Sequence, residues 1–319
     1  MTRFLAFIPG SIGDQLLCFP TLDDLKCHYP QAQIDVMVEP RAKGVYRVSR
    51  AVNDVLTFNF AGRNGPADWG NLIGQVRDRE YDACLYFGQS RWINLLLWLT
   101  GVPKRVGYAS GWGSVLLTDA IPLKSQQDLA TQYHDLLQGF GLASPRSELQ
   151  INLPAADIEW AESEQTRISL PPEQGYILLC DGGATTTAAP STYPVTHWQS
   201  IVKGSIERQP DLPLLALQTS DNGAWVSAMT NANPNLKVIY PGDLGKQAAI
   251  IAGANVLICT GGATLYLGLA VQTYLVALLN RQEQWRSHLD SERLVAIYSP
   301  NGNLADIPPI QVLEKVWGH

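Results

Sequence analysis

The sequence predicts an α/β protein with two domains, each built on a parallel β-sheet that is covered by helices. Short apolar runs of strand length recur along the chain, with helical stretches between them. These runs are apolar nearly throughout, as strands are when helices cover both faces of a sheet. The chain has 319 residues, which exceeds the usual domain size of about 100–200 residues. We therefore predict two Rossmann-like domains whose sheets face one another across a cleft.

The predicted strands are Phe4–Pro9, Gln33–Val38, Val55–Phe58, Ala83–Phe87, Tyr176–Cys180, Leu214–Gln218, Lys237–Tyr240, Val256–Cys259 and Thr273–Leu278. Between the fourth and the fifth no strand is clear. The acidic helical segment Ala155–Ile168 is followed by the helix-breaking stretch Leu170–Gly175, so we place the junction at about Leu153–Gly175. The predicted domains are residues 1–160 and 161–319. The amphipathic segment Ile310–Trp317 is of the kind that packs back on the first domain.

Composition excludes several functional classes. The net charge is −6 and no run of Lys or Arg stands out, which argues against nucleic acid as the main ligand. The longest apolar run, around Ile93–Leu99, is too short to span a bilayer, and the N-terminus lacks a cleavable signal pattern. We therefore expect a cytoplasmic protein. We also expect most of the tryptophans to be core or interdomain contacts.

The five cysteines show no CxxC pair. All but Cys27 lie in apolar surroundings, so they are interpreted as buried thiols and not as metal ligands. HExxH, GxSxG and Walker motifs are also missing from the sequence.

The first candidate site follows the first strand, where Gly10, Ser11 and Gly13 form a turn and Asp14 stands at the start of a helix. Such turns usually receive anions, because the helix-start N–H groups point outward. Asp14 is itself an anion. It is therefore either an N-cap, worth about 0.5–2 kcal/mol, or a base acting on a group brought to the turn. Pro20 marks a kink or the true start of this helix.

Two further turns follow strands in the second half. One contains Gly182, Gly183, Ala184, Thr185, Thr186 and Thr187; the other contains Gly261, Gly262, Ala263 and Thr264. Small residues allow backbone N–H groups to approach a phosphate, and the carboxyl ends of parallel strands are where open α/β sheets bind ligands. Gln218 and Thr219, at the end of another strand, complete the predicted donor site. The alternatives are a polar loop for the first turn and a packing pair of glycines for the second.

The order of these pieces resembles glycosyltransferase family 9, the ADP-heptose:lipopolysaccharide heptosyltransferases, along nearly the whole chain. The resemblance is carried by the opening segment Gly13–Ile34, by Tyr81-Asp82, by Lys104–Tyr108 and by Leu244–Val256. It implies a GT-B architecture, with the acceptor on the N-terminal domain, a nucleotide-sugar on the C-terminal domain, and no metal or cofactor. In such enzymes the aspartate at the position of Asp14 is the general base, and the anomeric carbon is inverted.

The resemblance also implies partners: an ADP-linked sugar donor, a glycan or lipid-linked acceptor, and peripheral contact with the inner face of the membrane. The sequence departs from the family in the donor half. The family's Lys-x-Trp-Pro is Ser191–Pro194 here, and its Asp-Ser-Gly-Pro-Met-His is Gly261–Tyr266. Two hypotheses follow. The chain is either a glycosyltransferase with an altered donor site or a catalytically inactive relative that serves in binding or assembly.

Overall fold

The computed structural model describes residues 2–124, 126–171, 174–182, 192–280 and 291–318. The chain divides into two compact units, Met1–Leu149 and Gln150–His319. The division falls before the predicted boundary at residue 160, because the helix Ala155–Arg167 packs on the helix Leu244–Ala252 of the second unit.

The first unit is a six-stranded parallel sheet with helices. Its strands are Arg3–Ile8 (β1), Gln33–Val38 (β2), Asp54–Thr57 (β3), Ala83–Tyr86 (β4), Lys104–Ala109 (β5) and Asp119–Pro122 (β6). Its α-helices are Ile12–His28 (α1), Pro66–Asp78 (α2), Arg91–Thr100 (α3) and Leu129–Asp135 (α4). The strand order is β3-β2-β1-β4-β5-β6. From β1 the chain adds β2 and β3 on one side of the sheet, and it then returns to add β4, β5 and β6 on the other side. The direction in which strands are added therefore reverses between β1 and β4.

The second unit repeats this plan with a second six-stranded parallel sheet. Its strands are Ile177–Cys180 (β7), Leu214–Leu217 (β8), Lys237–Ile239 (β9), Val256–Cys259 (β10), Tyr274–Leu279 (β11) and Leu294–Tyr298 (β12). Its described α-helices are Ala155–Arg167 (α5), Val195–Arg208 (α6), Gly223–Ala232 (α7), Leu244–Ala252 (α8), Gly262–Ala270 (α9) and Pro309–Trp317 (α10). The strand order is β12-β11-β10-β7-β8-β9, so the reversal lies between β10 and β7.

Each predicted strand is present, with small shifts at its ends. The expectation that no strand lies between Ala83–Phe87 and Tyr176–Cys180 is wrong, since β5 and β6 lie there; β12 was also missed. In β5 the two basic residues Lys104 and Arg105 and the following Gly107 interrupt the apolar pattern. β6 and β12 are edge strands, which need less apolar sequence because only one side is paired.

Helix α1 runs through Pro20, so this proline is not the start of the helix. The proline is buried, and packing of the surrounding apolar residues on the sheet offsets the hydrogen bond that it cannot donate. The predicted burial of the cysteines is confirmed, because Cys27 is exposed and Cys18, Cys84, Cys180 and Cys259 are buried. No helix within the described ranges is both long and apolar enough to cross a bilayer.

Each unit has its own apolar core. In the second unit Trp198 of α6 is fully buried and makes edge-to-face contacts with Tyr193 and Trp225, at centroid distances of 5.4 Å each. On the same helix Gly204 lies against Leu313 of α10, so α10 packs on α6 within this unit.

The prediction that most tryptophans are core contacts holds for Trp198 and Trp225. It is wrong for Trp92, Trp98 and Trp112, which are exposed.

We expect Trp198→Ala to lower the free energy of unfolding by about 3–5 kcal/mol, because the change removes a fully buried ring and leaves a cavity. Urea unfolding followed by far-UV circular dichroism measures the loss. The matched control is Ile206→Ala on the same helix, whose side chain is half exposed and should change stability by no more than about 0.5 kcal/mol. Equal effects of the two variants would contradict the assigned core.

Candidate functional site

Most of the predicted site residues follow central strands: those of the first unit follow β1, and those of the second follow β7 and β10, with Gln218 and Thr219 after the neighbouring β8. β1 pairs with β4 in the first sheet, and β7 pairs with β10 in the second. At these reversals the loops leave neighbouring strands in opposite directions, which opens a crevice at the carboxyl end of the sheet. The turn with Asp14 follows β1, whereas the two glycine turns follow β7 and β10.

Asp14 is the third residue of α1 and forms a capping box with Ser11, which is the N-cap. The Ser11 N–H donates to Asp14 Oδ2 over 2.7 Å, and the Ser11 hydroxyl donates to the same oxygen over 2.8 Å. The side chain is half-buried. Asp14 Oδ1 has no hydrogen-bond partner among the residues that the structure describes. One carboxylate oxygen therefore fixes the orientation, and the other is left for a proton or a ligand.

The glycines beside Asp14 make this geometry possible. Gly10 has φ +119°, and a Cβ built on it would come within 2.6 Å of Asp14 Oδ2. A side chain at residue 10 would therefore displace the carboxylate. Gly13 is buried in the first turn of α1. Sequence reasoning missed the adjacent Gln15, whose amide donates to Ile8 O over 3.0 Å and so ties α1 to the end of β1.

In the second unit the turns after β7 and β10 are joined through Thr260. The Gly182 N–H donates to Thr260 Oγ1 over 2.7 Å, and the Thr260 hydroxyl donates to Asp181 Oδ1 over 2.7 Å. A Cβ on Gly182 would lie 2.7 Å from Gly261 O, so the two turns approach too closely for a side chain at this position. Thr260 and Asp181 were not predicted as site residues. Their position directly after a strand was the available signal.

The turn after β8 joins the same network through Asn222, which sequence reasoning also missed. Its amide donates to Asp181 O over 3.1 Å and to Leu217 O over 3.0 Å. Asn222 Oδ1 accepts the N–H of Thr219 over 2.8 Å. The N–H of the other predicted residue, Gln218, donates to Ile239 O over 2.8 Å and so extends the sheet. Asn222 therefore holds the predicted segment 218–219 beside Asp181.

The turn after β10 starts helix α9. Gly261 is its N-cap with φ +87°, Gly262 has φ +71°, and both values favour glycine. Ala263 is half-buried. Thr264 is buried, and its hydroxyl accepts from Gln247 over 3.1 Å, so this hydroxyl faces the interior of the unit. The predicted residues Gly183, Ala184, Thr185, Thr186 and Thr187, and also Ser191 of the altered motif, lie outside the described residues.

The two acids that follow β1 and β7 differ in their surroundings. Asp181 is buried, and burial raises its pKa above the usual 3.8, while the hydrogen bond from Thr260 lowers it in part. A buried carboxylate beside Gly182 and Gly261 opposes the approach of a diphosphate when it is charged. Asp181 is therefore an ionisable group directly beside the two glycine turns that were predicted to bind the donor.

The sequence model described as glycosyltransferase family 9 (heptosyltransferase) matches residues 69–315 of this chain. The chain belongs to glycosyltransferase family 9. Lipopolysaccharide heptosyltransferase 2 of Escherichia coli is 21% identical over 294 residues, which cover 86% of this chain and 82% of that protein. The structure of E. coli ADP-heptose lps heptosyltransferase II superimposes with a TM-score of 0.81 at 19% identity, covering 99% of this chain and 97% of that one. The GT-B fold that the sequence implies is therefore confirmed for this family 9 member.

A second relative is named as a subunit of a complex and not as a glycosyltransferase. The photosynthetic NDH subunit of subcomplex B 1, a chloroplastic protein of Arabidopsis thaliana, is 21% identical over 335 residues, which cover 96% of this chain and 71% of that protein. The chain is thus similar both to a heptosyltransferase and to a protein named as a subunit of a complex.

Because the pKa of Asp181 is raised, we expect the unfolding free energy of the parent to depend on pH through this residue, and Asp181→Asn should remove that dependence. A raised pKa in the folded state means that the native protein binds this proton more tightly than the unfolded chain. Stability of the parent therefore falls as pH rises between the unfolded and the folded pKa. We expect the unfolding free energy of Asp181→Asn minus that of the parent to increase as pH rises from about 4 and then to level off. Urea unfolding across pH measures this difference.

Asp54→Asn is the control. The pKa of Asp54 is shifted in the opposite direction, so its effect on stability should change with pH in the opposite sense. The hydrogen bond from Arg79 lowers the pKa of Asp54, so its contribution is present above the unfolded pKa and is lost as pH falls through the folded value. A difference for Asp181→Asn that does not change with pH would contradict the burial of this carboxyl.

Proposed function

We propose that this family 9 member is an inverting, metal-independent glycosyltransferase in which Asp14 is the general base. It moves a sugar from a nucleotide-sugar, ADP-linked as in its relatives, to a hydroxyl of a glycan or lipid-linked acceptor. The cytoplasmic location and a place at the inner face of the membrane belong to the same proposal. The observation that supports it is the position of the Asp14 carboxylate. Hydrogen bonds from Ser11 to one of its oxygens hold it after β1, where the strand order of the first sheet reverses.

The proposed step needs a base with one free oxygen. Asp14 Oδ1 accepts the proton of the acceptor hydroxyl as the hydroxyl oxygen bonds to the anomeric carbon of the donor. The bond from that carbon to the diphosphate breaks on the opposite face, and the diphosphate leaves with the electron pair. Ser11 contributes by donating two hydrogen bonds to Oδ2, which keeps the carboxylate oriented.

The proposed donor site relies on the start of α9. The Gly182 N–H is already bonded to Thr260, so it is not available to a phosphate. The N–H groups of the first turn of α9, which begins at Gly262, have no intrahelical acceptor and are the donors that remain in the described part of this site. They would stabilise the leaving diphosphate where the family's lysine and histidine are replaced.

The alternative is a catalytically inactive family member that serves in binding or assembly. Three observations favour it: the altered donor motifs, the buried Asp181 beside the glycine turns, and the similarity to a protein named as a subunit of a complex. Under this alternative Asp14 is kept for the capping box alone, which would stabilise α1 by about 0.5–2 kcal/mol.

Nucleotide binding separates the two candidates. Thermal unfolding is measured with ADP, UDP and GDP and with ADP-heptose, because a ligand at one hundred times its Kd adds about 2.7 kcal/mol of stability. The transferase proposal expects stabilisation by one nucleotide class, and ADP first. If none of these ligands at millimolar concentration raises the midpoint, the inactive alternative is favoured.

Asp14→Asn tests the base. We expect the turnover number to fall by about 10²–10⁴-fold, because the amide cannot accept the proton, while the stabilisation by donor is kept. Turnover is measured as ADP released from ADP-heptose in the presence of a lipid-linked glycan acceptor. The matched control is Asp68→Asn, since Asp68 is the third residue of α2 and accepts the Gly65 N–H over 2.8 Å in an equivalent cap.

The control removes a capping carboxylate without touching the proposed site. Asp68→Asn should match Asp14→Asn in its loss of stability, and its turnover should equal that of the parent. Transfer by Asp14→Asn at the parental rate would show that the base is assigned wrongly. Loss of turnover in both variants would attribute the effect to folding.

A further inference from the structure

Helix α3 and the 3₁₀ segment Gly111–Leu116 of the first unit form an exposed apolar surface, which we call the tryptophan surface. It consists of Arg91, Trp92, Leu95, Trp98, Leu99, Trp112 and Val115. Exposed fractions are 58% for Trp92, 51% for Trp98, 53% for Trp112 and 83% for Val115. Arg91 lies over the rings of both Trp92 and Trp112, 5.6 Å from each centroid, which joins the helix to the 3₁₀ segment.

The outward face of α3 lacks the polar residues of an ordinary surface helix. Its inward face packs Ile93, Leu96 and Leu97 into the core of the first unit. On the outward face Trp92, Leu95 and Leu99 recur at helical spacing, and Arg91 is the one charged residue on the helix. A helix that is apolar all round is normally covered on every side. Here one side is open to solvent.

The charge around this surface is positive, although the whole chain is acidic. Between Asp82 and Asp119 the sequence contains no Asp or Glu, whereas it contains Arg91 and Arg105; Lys104 in the same stretch is paired with Asp119 at 3.5 Å. Arg105 donates to the carbonyl of Leu116 over 3.0 Å, and Arg77 of α2 donates to the carbonyl of Leu99 over 2.7 Å. The acceptors of both arginines are carbonyls, which carry no formal charge and do not neutralise a guanidinium group. The surface therefore complements an anionic apolar partner.

We propose that the tryptophan surface docks on an anionic lipid bilayer. Tryptophan rings reside at the headgroup level, where their apolar body and polar N–H are both satisfied, and arginine reaches the lipid phosphates from the same depth. One helix lying in the plane of the interface, with Trp112 and Val115 beside it, gives the shallow apolar area that such binding uses.

The position of α3 links docking to the candidate site. α3 follows β4, and the Phe87 N–H at the end of β4 donates to Phe7 O at the end of β1 over 3.0 Å. The tryptophan surface thus begins at the same end of the sheet as Asp14. Docking there would bring this end toward a lipid-linked acceptor. That link rests on the proposed function, whereas membrane binding itself does not.

Vesicle flotation tests the proposal with the full-length protein. The vesicles contain phosphatidylcholine alone or phosphatidylcholine with phosphatidylglycerol. We expect binding to the anionic vesicles, weakened by raising salt from 0.1 to 0.5 M as screening increases. The double variant Trp92→Ala, Trp98→Ala should bind at least about tenfold more weakly, because it loses apolar area at the interface. Arg91→Gln should bind about fivefold more weakly, as expected for one basic residue at an anionic surface.

Matched controls use exposed residues of the second unit. Tyr240→Ala with Ile206→Ala removes two side chains that are 56% and 50% exposed. Arg208→Gln removes an arginine that lies 5.9 Å over the ring of Trp317. Both controls should bind vesicles as the parent does. The proposal is overturned if the folded parent does not float with anionic vesicles, or if the Trp92 and Trp98 variant floats equally well.

A further outcome would also overturn it. If light scattering shows a dimer of the parent that the same tryptophan variant abolishes, and the parent does not bind vesicles, the surface joins two copies of the chain. Failure of vesicle binding would remove the proposed place at the membrane, but it leaves nucleotide stabilisation and the Asp14→Asn result unaffected. The transferase reaction and the docking surface therefore fail separately.

Discussion

Parallel pairing of the central strands, β1 with β4 and β7 with β10, is the constraint on which both candidate sites depend. Because parallel strands must be joined by crossovers, loops from distant parts of the sequence leave the sheet at one edge. The close approach of Gly182 to Gly261 is a direct result, since these two glycines are 79 positions apart in the sequence and yet their backbones nearly touch. Glycine is required at residue 182 by contact distance, because a Cβ there would lie 2.7 Å from Gly261 O.

The two units place a similar acid in different surroundings. Each has an acid near the end of its first strand, and each acid accepts a hydrogen bond from a hydroxyl. Asp14 is half-buried, and one of its oxygens has no hydrogen-bond partner in the described part of the chain, which suits proton transfer. Asp181 is buried and linked to Gly182 through Thr260, which suits a structural role and disfavours a diphosphate nearby. The acid of the first unit is thus more open to a ligand than the acid of the second unit.

Local patterns and long-range contacts account for what was predicted and what was missed. Asp14 stood out because a glycine turn between a strand and a helix is visible in consecutive residues. Asn222 and Gln15 did not, because each acts through an amide that reaches carbonyls of other segments. The exposed tryptophans were assigned to contacts on residue type alone, since the helical period of α3 is apolar on both faces and cannot indicate which face is covered.

The sequence by itself determined the alternation of strands and helices, the parallel α/β class, the family and the position of Asp14 after the first strand. These depend on apolar periodicity and turn chemistry, which are local. Only the tertiary structure decided that Ser11 is the N-cap, that Thr260 joins two turns, and that α3 leaves one apolar face open. These depend on which surfaces meet, and residues far apart in the chain fix that through packing and hydrogen bonding.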